Sequence, residues 1–304
     1  MQQVTVRVPA STSNLGPGYD CLGVALRLHN SVTLVRSNAP RCSHPRIVSD
    51  AAERFFKQTR RRAFSFSCSI VERIPRCRGL GSSATVRLGI LLALNRLSGK
   101  PLDRLTLFQL CAEVEGHPDN AAPATFGGFT VVQSSASVSL ARAKREASLA
   151  VQRFDVAPRL YFVLLVPDLE IETARARRIL PSKISRIAAV QNCANACGLT
   201  AAFASRDYEK MRGSFCDNLH QPFRAKLIQF LPRVIEAAER AGALGAFLSG
   251  SGSAIAAVTL EAPEKISVAM ARSAAVPAHT IITHADNRGA QVLPIRRRPS
   301  GIDH

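Results

Sequence analysis

Several stretches of this 304-residue chain gather residue types that do chemistry. The first is Pro75-Arg76-Cys77-Arg78-Gly79-Leu80-Gly81-Ser82-Ser83-Ala84-Thr85, a glycine and serine turn running into the apolar run Val86 to Leu97. Glycines let a backbone close tightly around a ligand, and the unpaired amides of a first helical turn attract negative charge, phosphate above all. The turn lacks the Lys of a Walker A loop, so the usual P-loop reading fails. A Gly-Leu-Gly-Ser-Ser turn also describes a helix start with no ligand, because Ser caps well. The second stretch, Glu113-Val114-Glu115-Gly116-His117-Pro118-Asp119-Asn120, is a dense polar cluster closing a helix. Acids at a helix C-terminus oppose the dipole, and a bound Mg²⁺, which takes carboxylates together with substrate phosphates, would remove that conflict. The third, Ala10 to Gly23, is glycine-rich and carries Asn14 and Asp20, of which a turn needs neither. The fourth, Gly242 to Ser253, is a second glycine and serine turn. Arginines 175, 177 and 178 sit on a short helical pattern from Thr173 to Leu180, and spacing alone selects none of them as a carboxylate clamp.

These stretches need elements to hold them. Val4, Val6 and Val8 alternate with polar residues, which predicts a half-buried strand ending at Pro9, and Val24 to Val35 resumes the alternation as a pairing partner. Phe64, Phe66, Cys68 and Ile70 form a strand leading into the phosphate turn, and the near-continuous apolarity of Val86 to Leu97 predicts a buried helix. Leu102 to Glu115 reads as a second helix. Phe126 to Gln133 closes a first domain, 1–155, while Ser134 to Ser148 is rich in Ser, Ala and charge. The apolar run Leu160 to Val166 opens a second domain, 156–304, with helices over Ile184–Phe203, Glu209–Arg212 and Leu231–Ala241 and a strand over Ala254–Leu260.

Composition narrows the class. A hydrophobic content of 46% supports a real core, and no apolar run approaches a membrane span. The chain starts on strand-like alternation rather than a basic and apolar leader, which predicts a cytoplasmic protein. Eight cysteines without a Cys-x-x-Cys pair read as small buried residues. The net charge of +18 would attract polyanions, yet the excess is spread over both halves, with short clusters only at Arg60-Arg61-Arg62 and Arg296-Arg297-Arg298. With no Trp and few Tyr, there is little material for base stacking, so nucleic acid is the weaker reading and a basic enzyme for an anionic substrate the plainer one.

Pro9 to Gly23, Pro75 to Ala84 and Gly242 to Gly252 resemble, in the same order, the three signature segments of the GHMP small-molecule kinases. Ser-Asn-Leu-Gly-Pro-Gly-Tyr-Asp in the first, Glu-Gly-His-Pro-Asp-Asn at 115–120 and Asp-Asn-Leu-His-Gln-Pro-Phe-Arg at 217–224 look like the homoserine kinase branch. The resemblance spans residue 4 to about residue 260 and implies an α+β fold with an N-terminal domain like ribosomal protein S5 and a ferredoxin-like C-terminal domain. It implies ATP-dependent phosphorylation of the side-chain hydroxyl of L-homoserine in threonine biosynthesis, with ATP and Mg²⁺ as cofactors and a homodimer as the assembly. Carried over residue by residue, Pro75 to Thr85 would wrap the ATP phosphates and Ser249, Gly250, Ser251 and Gly252 would close the site. Ser83 and Glu113 would hold Mg²⁺, with Ser82 and Glu115 as alternatives. Asn14, Asp20 and Asn120 would line the homoserine pocket and serve the reaction, and Thr173, Arg177 and Arg224 would hold the α-carboxylate. Asp20 and His117 are the candidate bases, though direct loss of the proton to the phosphoryl group is the expectation. The chain departs from the family pattern at Ser253, usually Pro, and at Thr85-Val86-Arg87, usually smaller residues.

Overall fold

The computed structural model describes residues 2–37, 43–134 and 149–294. The first half holds strands β1 (Gln3–Asn14) and β2 (Gly18–Arg36), helix α1 (Arg46–Thr59), β3 (Phe66–Val71), α2 (Ser82–Leu97), α3 (Arg104–Glu115), α4 (Ala121–Phe126), β4 (Phe129–Ser134) and β5 (Leu149–Phe154). The second holds β6 (Tyr161–Pro167), α5 (Thr173–Arg178), α6 (Arg186–Ser205), α7 (Gln221–Arg224), α8 (Leu231–Arg240), β7 (Gly245–Leu248), β8 (Ile255–Thr259), α9 (Pro263–Ser273), β9 (Ala278–His284) and β10 (Gln291–Leu293). The fold is α+β, as expected.

The strands form two antiparallel sheets. In the first the order is β10-β1-β2-β4-β5, with β3 also on β2; in the second it is β7-β8-β6-β9. Val4, Val6 and Val8 of β1 and Val32 and Leu34 of β2 face α2, whose Leu88, Ile90, Leu91 and Leu94 complete one core with Phe55 and Phe108. The unbroken apolar run of β6 has its reason in burial on both faces. Phe162 and Leu164 join Leu22, Val24, Phe129, Phe203 and Phe247 in a core shared by both sheets, while Val163 and Leu165 pack with Val234, Ile255 and Met270 under α8 and α9.

One expectation is corrected. Neither strand stops at the glycine-rich stretch: β1 and β2 stay paired from Gln3↔Val35 to Asn14↔Gly18, with register shifts at Pro9/Ala10 and Ser13/Asn14, so the presumed loop is a long hairpin. A bulge absorbs what Pro9 would otherwise break. The domain division at 155/156 falls in the β5–β6 connection, but β10 returns to pair with β1, so the first sheet takes its edge from the far end of the sequence. Residues 263–293, past the span of the resemblance, form α9, β9 and β10. The Ser134–Ser148 stretch from 135 on and the arginines at 296–298 lie outside the described residues.

Candidate active site

The phosphate turn is tied at both ends by one buried side chain. Asn30 on β2 accepts from the amides of Arg73 (2.8 Å) and Ile74 (3.1 Å) and donates to Thr85 Oγ1 (2.9 Å). Sequence reading missed it, although a polar residue breaking an apolar alternation is a signal. Between these ties Cys77, Gly79 and Gly81 take positive φ of 54°, 74° and 69°. At Gly79 a Cβ would fall 2.0 Å from the Ser249 carbonyl oxygen, so the glycine is required by close approach as well as by φ. Helix α2 starts at Ser82 with Gly81 as a cap lacking any side-chain hydrogen bond, which leaves first-turn amides for a ligand.

A cavity of about 510 Å³ runs from this helix start to the hairpin tip. Pro45, Ile47 and Ile70 give one end an apolar lining; Asn14, Asp20, Asn120, Thr173, Arg177 and Arg224 gather at the other. Six expected substrate residues from four separate stretches of the chain thus meet in one place. Arg177 grips both oxygens of Asp20, at 2.9 and 2.7 Å, and donates to the Tyr19 hydroxyl at 3.0 Å. Arg224 is 2% exposed and donates to the carbonyls of Ala176 (3.2 Å) and Gly250 (2.8 Å). Asn14, at φ 70°, donates to the Gly250 carbonyl and accepts from the Asp20 amide. It fixes the hairpin tip to the second turn.

The two glycine-serine turns meet directly. Ser249 Oγ donates to the Gly79 carbonyl (2.8 Å), so its partner Thr12 Oγ1 (2.9 Å) must donate to it, a hydroxyl having one proton. The Gly250 amide donates to Ser13 O. Gly250 and Ser251 line the cavity, whereas Ser249 and Gly252 do not and serve as fasteners.

Other expected contacts are redirected. Ala84 and Thr85 are buried in α2, where Thr85 donates to Ser82 O. Arg78 aims its guanidinium at the Pro167 carbonyl, Asp168 and Glu170, bracing the second sheet, and Arg76 pairs with Glu72. The loop thus offers mainly backbone to a ligand. Glu113 pairs with Arg54 of α1 at 2.6 Å and is outside the cavity lining. Two residues apart on a helix point to opposite sides, so Glu115 is the one that faces α2. Its Oε2 accepts from Ser83 Oγ at 2.8 Å. A hydroxyl and a carboxylate oxygen at a helix start are hard donors that fit Mg²⁺. Among the described residues no three His, Cys, Asp or Glu side chains form a metal cluster, so phosphate and water would supply the remaining ligands.

Two histidines are shifted in opposite directions. His117 and Asp119 both line the cavity and hydrogen-bond at 2.6 Å. Burial works against both charges, yet their mutual contact prevails, holding the Asp119 carboxyl below its usual range and the His117 imidazole above its own. His220 is pushed down to about 4 by burial, with Asp217 opposing and Arg224 assisting. Neutral His220 donates from Nε2 to the Gly16 carbonyl (2.8 Å) and accepts from Arg224 at Nδ1 (3.3 Å). Asp217 in turn accepts from the amides of Leu219, His220 and Gln221, which sets up α7.

The model of the GHMP kinases N-terminal domain matches residues 46–128, and that of the GHMP kinases C-terminal domain matches 199–276. A homoserine kinase of Microchaete diplosiphon is 34% identical over 312 residues, covering 96% of this chain and 98% of that protein. One of Moorella thermoacetica is 36% identical, covering 88% and 90%. A crystal structure of homoserine kinase from Cytophaga hutchinsonii superposes with a TM-score of 0.85 at 27% identity, covering 96% of this chain and 98% of that one. Matching motifs, domain models and full-length relatives agree, and the chain belongs to the GHMP kinases, in their homoserine kinase family.

Proposed function

We propose that the protein transfers the γ-phosphoryl group of ATP to the side-chain hydroxyl of L-homoserine, the phosphorylation step that its relatives' name places in threonine biosynthesis. The observation that carries this reading is the bidentate Asp20–Arg177 pair facing the cavity beside Arg224. A carboxylate and a guanidinium already matched to each other match an amino-acid zwitterion equally well, the ammonium going to Asp20 and the carboxylate to Arg177 with Thr173. A sugar or mevalonate offers no such opposite pair.

The phosphates lie against the backbone of Gly79 to Ser83 and the start of α2, and the adenine takes the apolar end beside Ile47 and Ile70. Ser83 and Glu115 are the residues that would hold Mg²⁺; when bound, the ion neutralises phosphate charge and fixes the phosphate geometry. Phosphoryl transfer needs in-line placement and charge compensation more than covalent assistance. Asn120 contributes placement: Ser11 Oγ donates to its Oδ1 (2.9 Å), so its amide N–H is what it presents to a hydroxyl. Asp20 is a poor base with both oxygens held by Arg177, and the contact of His117 Nδ1 with Asp119 favours the charged imidazolium over the neutral form that a base needs. The homoserine proton therefore passes to an oxygen of the transferred phosphoryl group.

ADP release with Mg-ATP tests the proposal, comparing L-homoserine with L-threonine, L-serine, mevalonate and galactose. Turnover with homoserine alone is expected. Equal rates with mevalonate or galactose would overturn the zwitterion reading.

A further inference from the structure

One buried charge at the phosphate end is unused by the catalytic reading. Arg87 lies one helical turn after Ser83 on α2, so both face the end of α3. There Glu115 has both oxygens occupied: Oε2 accepts from Ser83 Oγ and Oε1 accepts from Arg87 Nη1. The pair is withdrawn from water, with 4% of the Glu115 side chain and 19% of the Arg87 side chain exposed. Arg87 Nε is buried without a hydrogen-bond partner among the described residues, and Nη1 is anchored on the Glu115 carboxylate. Ser83 and Glu115 line the cavity and Arg87 does not; it stands behind the carboxylate.

A carboxylate that binds a divalent cation does so through its uncompensated charge. Here that charge is already met by a resident cation that is not free to diffuse away. We propose that Arg87 sets the divalent-cation affinity of the phosphate site: it is a positioning residue that holds Glu115 toward Ser83 and, as a fixed counter-ion, makes an incoming cation share a neutralised carboxylate. The inference rests on the assignment of Ser83 and Glu115 to Mg²⁺. Its consequence is an enzyme that needs its nucleotide's phosphates to recruit the metal, and binds the free ion weakly.

Equilibrium binding of Mn²⁺, followed by its EPR signal with a non-hydrolysable ATP analogue present, tests this without turnover. Arg87→Met keeps the length and removes the charge. It should tighten Mn²⁺ binding on the order of tenfold, the size expected for relieving repulsion between a unit and a double charge a few ångströms apart under water-like screening. Arg87→Lys should restore affinity to near the parent value, and Glu115→Gln should weaken binding in every background. Unchanged or weaker binding in Arg87→Met, with Glu115→Gln defective, overturns the counter-ion role while leaving the metal assignment standing. Parental binding in Glu115→Gln overturns the assignment and the inference together. Thermal melts of each variant separate loss of fold from loss of charge.

Discussion

The two glycine-serine turns read almost alike in sequence and act differently in the structure. Gly79 to Ser83 ends in a sixteen-residue helix and keeps its first-turn amides available. Ser249 to Gly252 joins two strands, β7 and β8, and commits its hydroxyl and backbone to Gly79, Thr12 and Ser13. One turn leaves its donors free beside the cavity, while the other is fastened through Ser249 and reaches the cavity only at Gly250 and Ser251. The element that follows the glycines, a helix or a strand, decides which, because only the helix start leaves an array of unpaired donors.

The sharpest way to break this contrast is Gly79→Ala. A methyl group there would meet Ser249 O at 2.0 Å and Gly252 N at 2.8 Å, both backbone atoms that cannot turn aside. The loop must shift by about an ångström, and kcat/KM with ATP is expected to fall about 100-fold. Ser249→Ala attacks the same junction from the fastener's side. It removes one hydroxyl and leaves the Gly79 carbonyl short of a partner, at a cost of about 1–3 kcal/mol in stability measured by urea unfolding. Activity should fall less than in Gly79→Ala. Equal losses in the two would mean that both turns bind nucleotide directly.

The substrate end contrasts with both turns, since it is made of side chains that hold each other. Arg224→Met would strip donors from two buried carbonyls and from His220, costing roughly 2 kcal/mol or more in stability and raising the KM for homoserine over that for ATP. Asp20→Asn is milder in structure. It removes the ammonium's partner and loosens Arg177, so the homoserine KM rises about tenfold while the pH dependence of kcat stays as in the parent. Loss of kcat with an unchanged KM would restore Asp20 as a base.

The backbone sites were legible in sequence and the side-chain geometry was not. Gly79-Leu80-Gly81-Ser82-Ser83 announces a tight turn into a helix because glycine and serine have few other reasons to sit there, and the turn is where it was expected. Glu113 shows the limit: two acids, two residues apart, are equivalent in composition, and only the direction of α3 against α1 and α2 separates the one paired with Arg54 from the one facing Ser83. Arg78 reads as a phosphate ligand by position, but the second sheet supplies Pro167, Asp168 and Glu170 to draw it away. The return of β10 to β1 joins residues almost 290 positions apart. No local pattern encodes that. Asn30 was hidden for the same reason, meaningful only through Arg73, Ile74 and Thr85 far along the chain.

The two histidines at the substrate end give the finest test, because their contributions to stability run in opposite directions with pH. His117 has a folded-state pKa above its ordinary 6.5, so its charged form is favoured by folding. Its contribution is complete below 6.5 and disappears as pH rises through the folded value. His220, near 4 when folded, refuses a proton that the unfolded chain accepts. It costs nothing above 6.5, and between 6.5 and 4 it lowers stability with a slope of up to about 1.4 kcal/mol per pH unit. Urea unfolding of the parent, His117→Gln and His220→Gln from pH 4.5 to 8.5 separates them. The parent's advantage over His117→Gln should shrink toward high pH, while its advantage over His220→Gln should grow from pH 4.5 to 6.5 and then level. A common direction for both would mean that the His117–Asp119 pair is neutral in the fold, and would return His117 to consideration as the base.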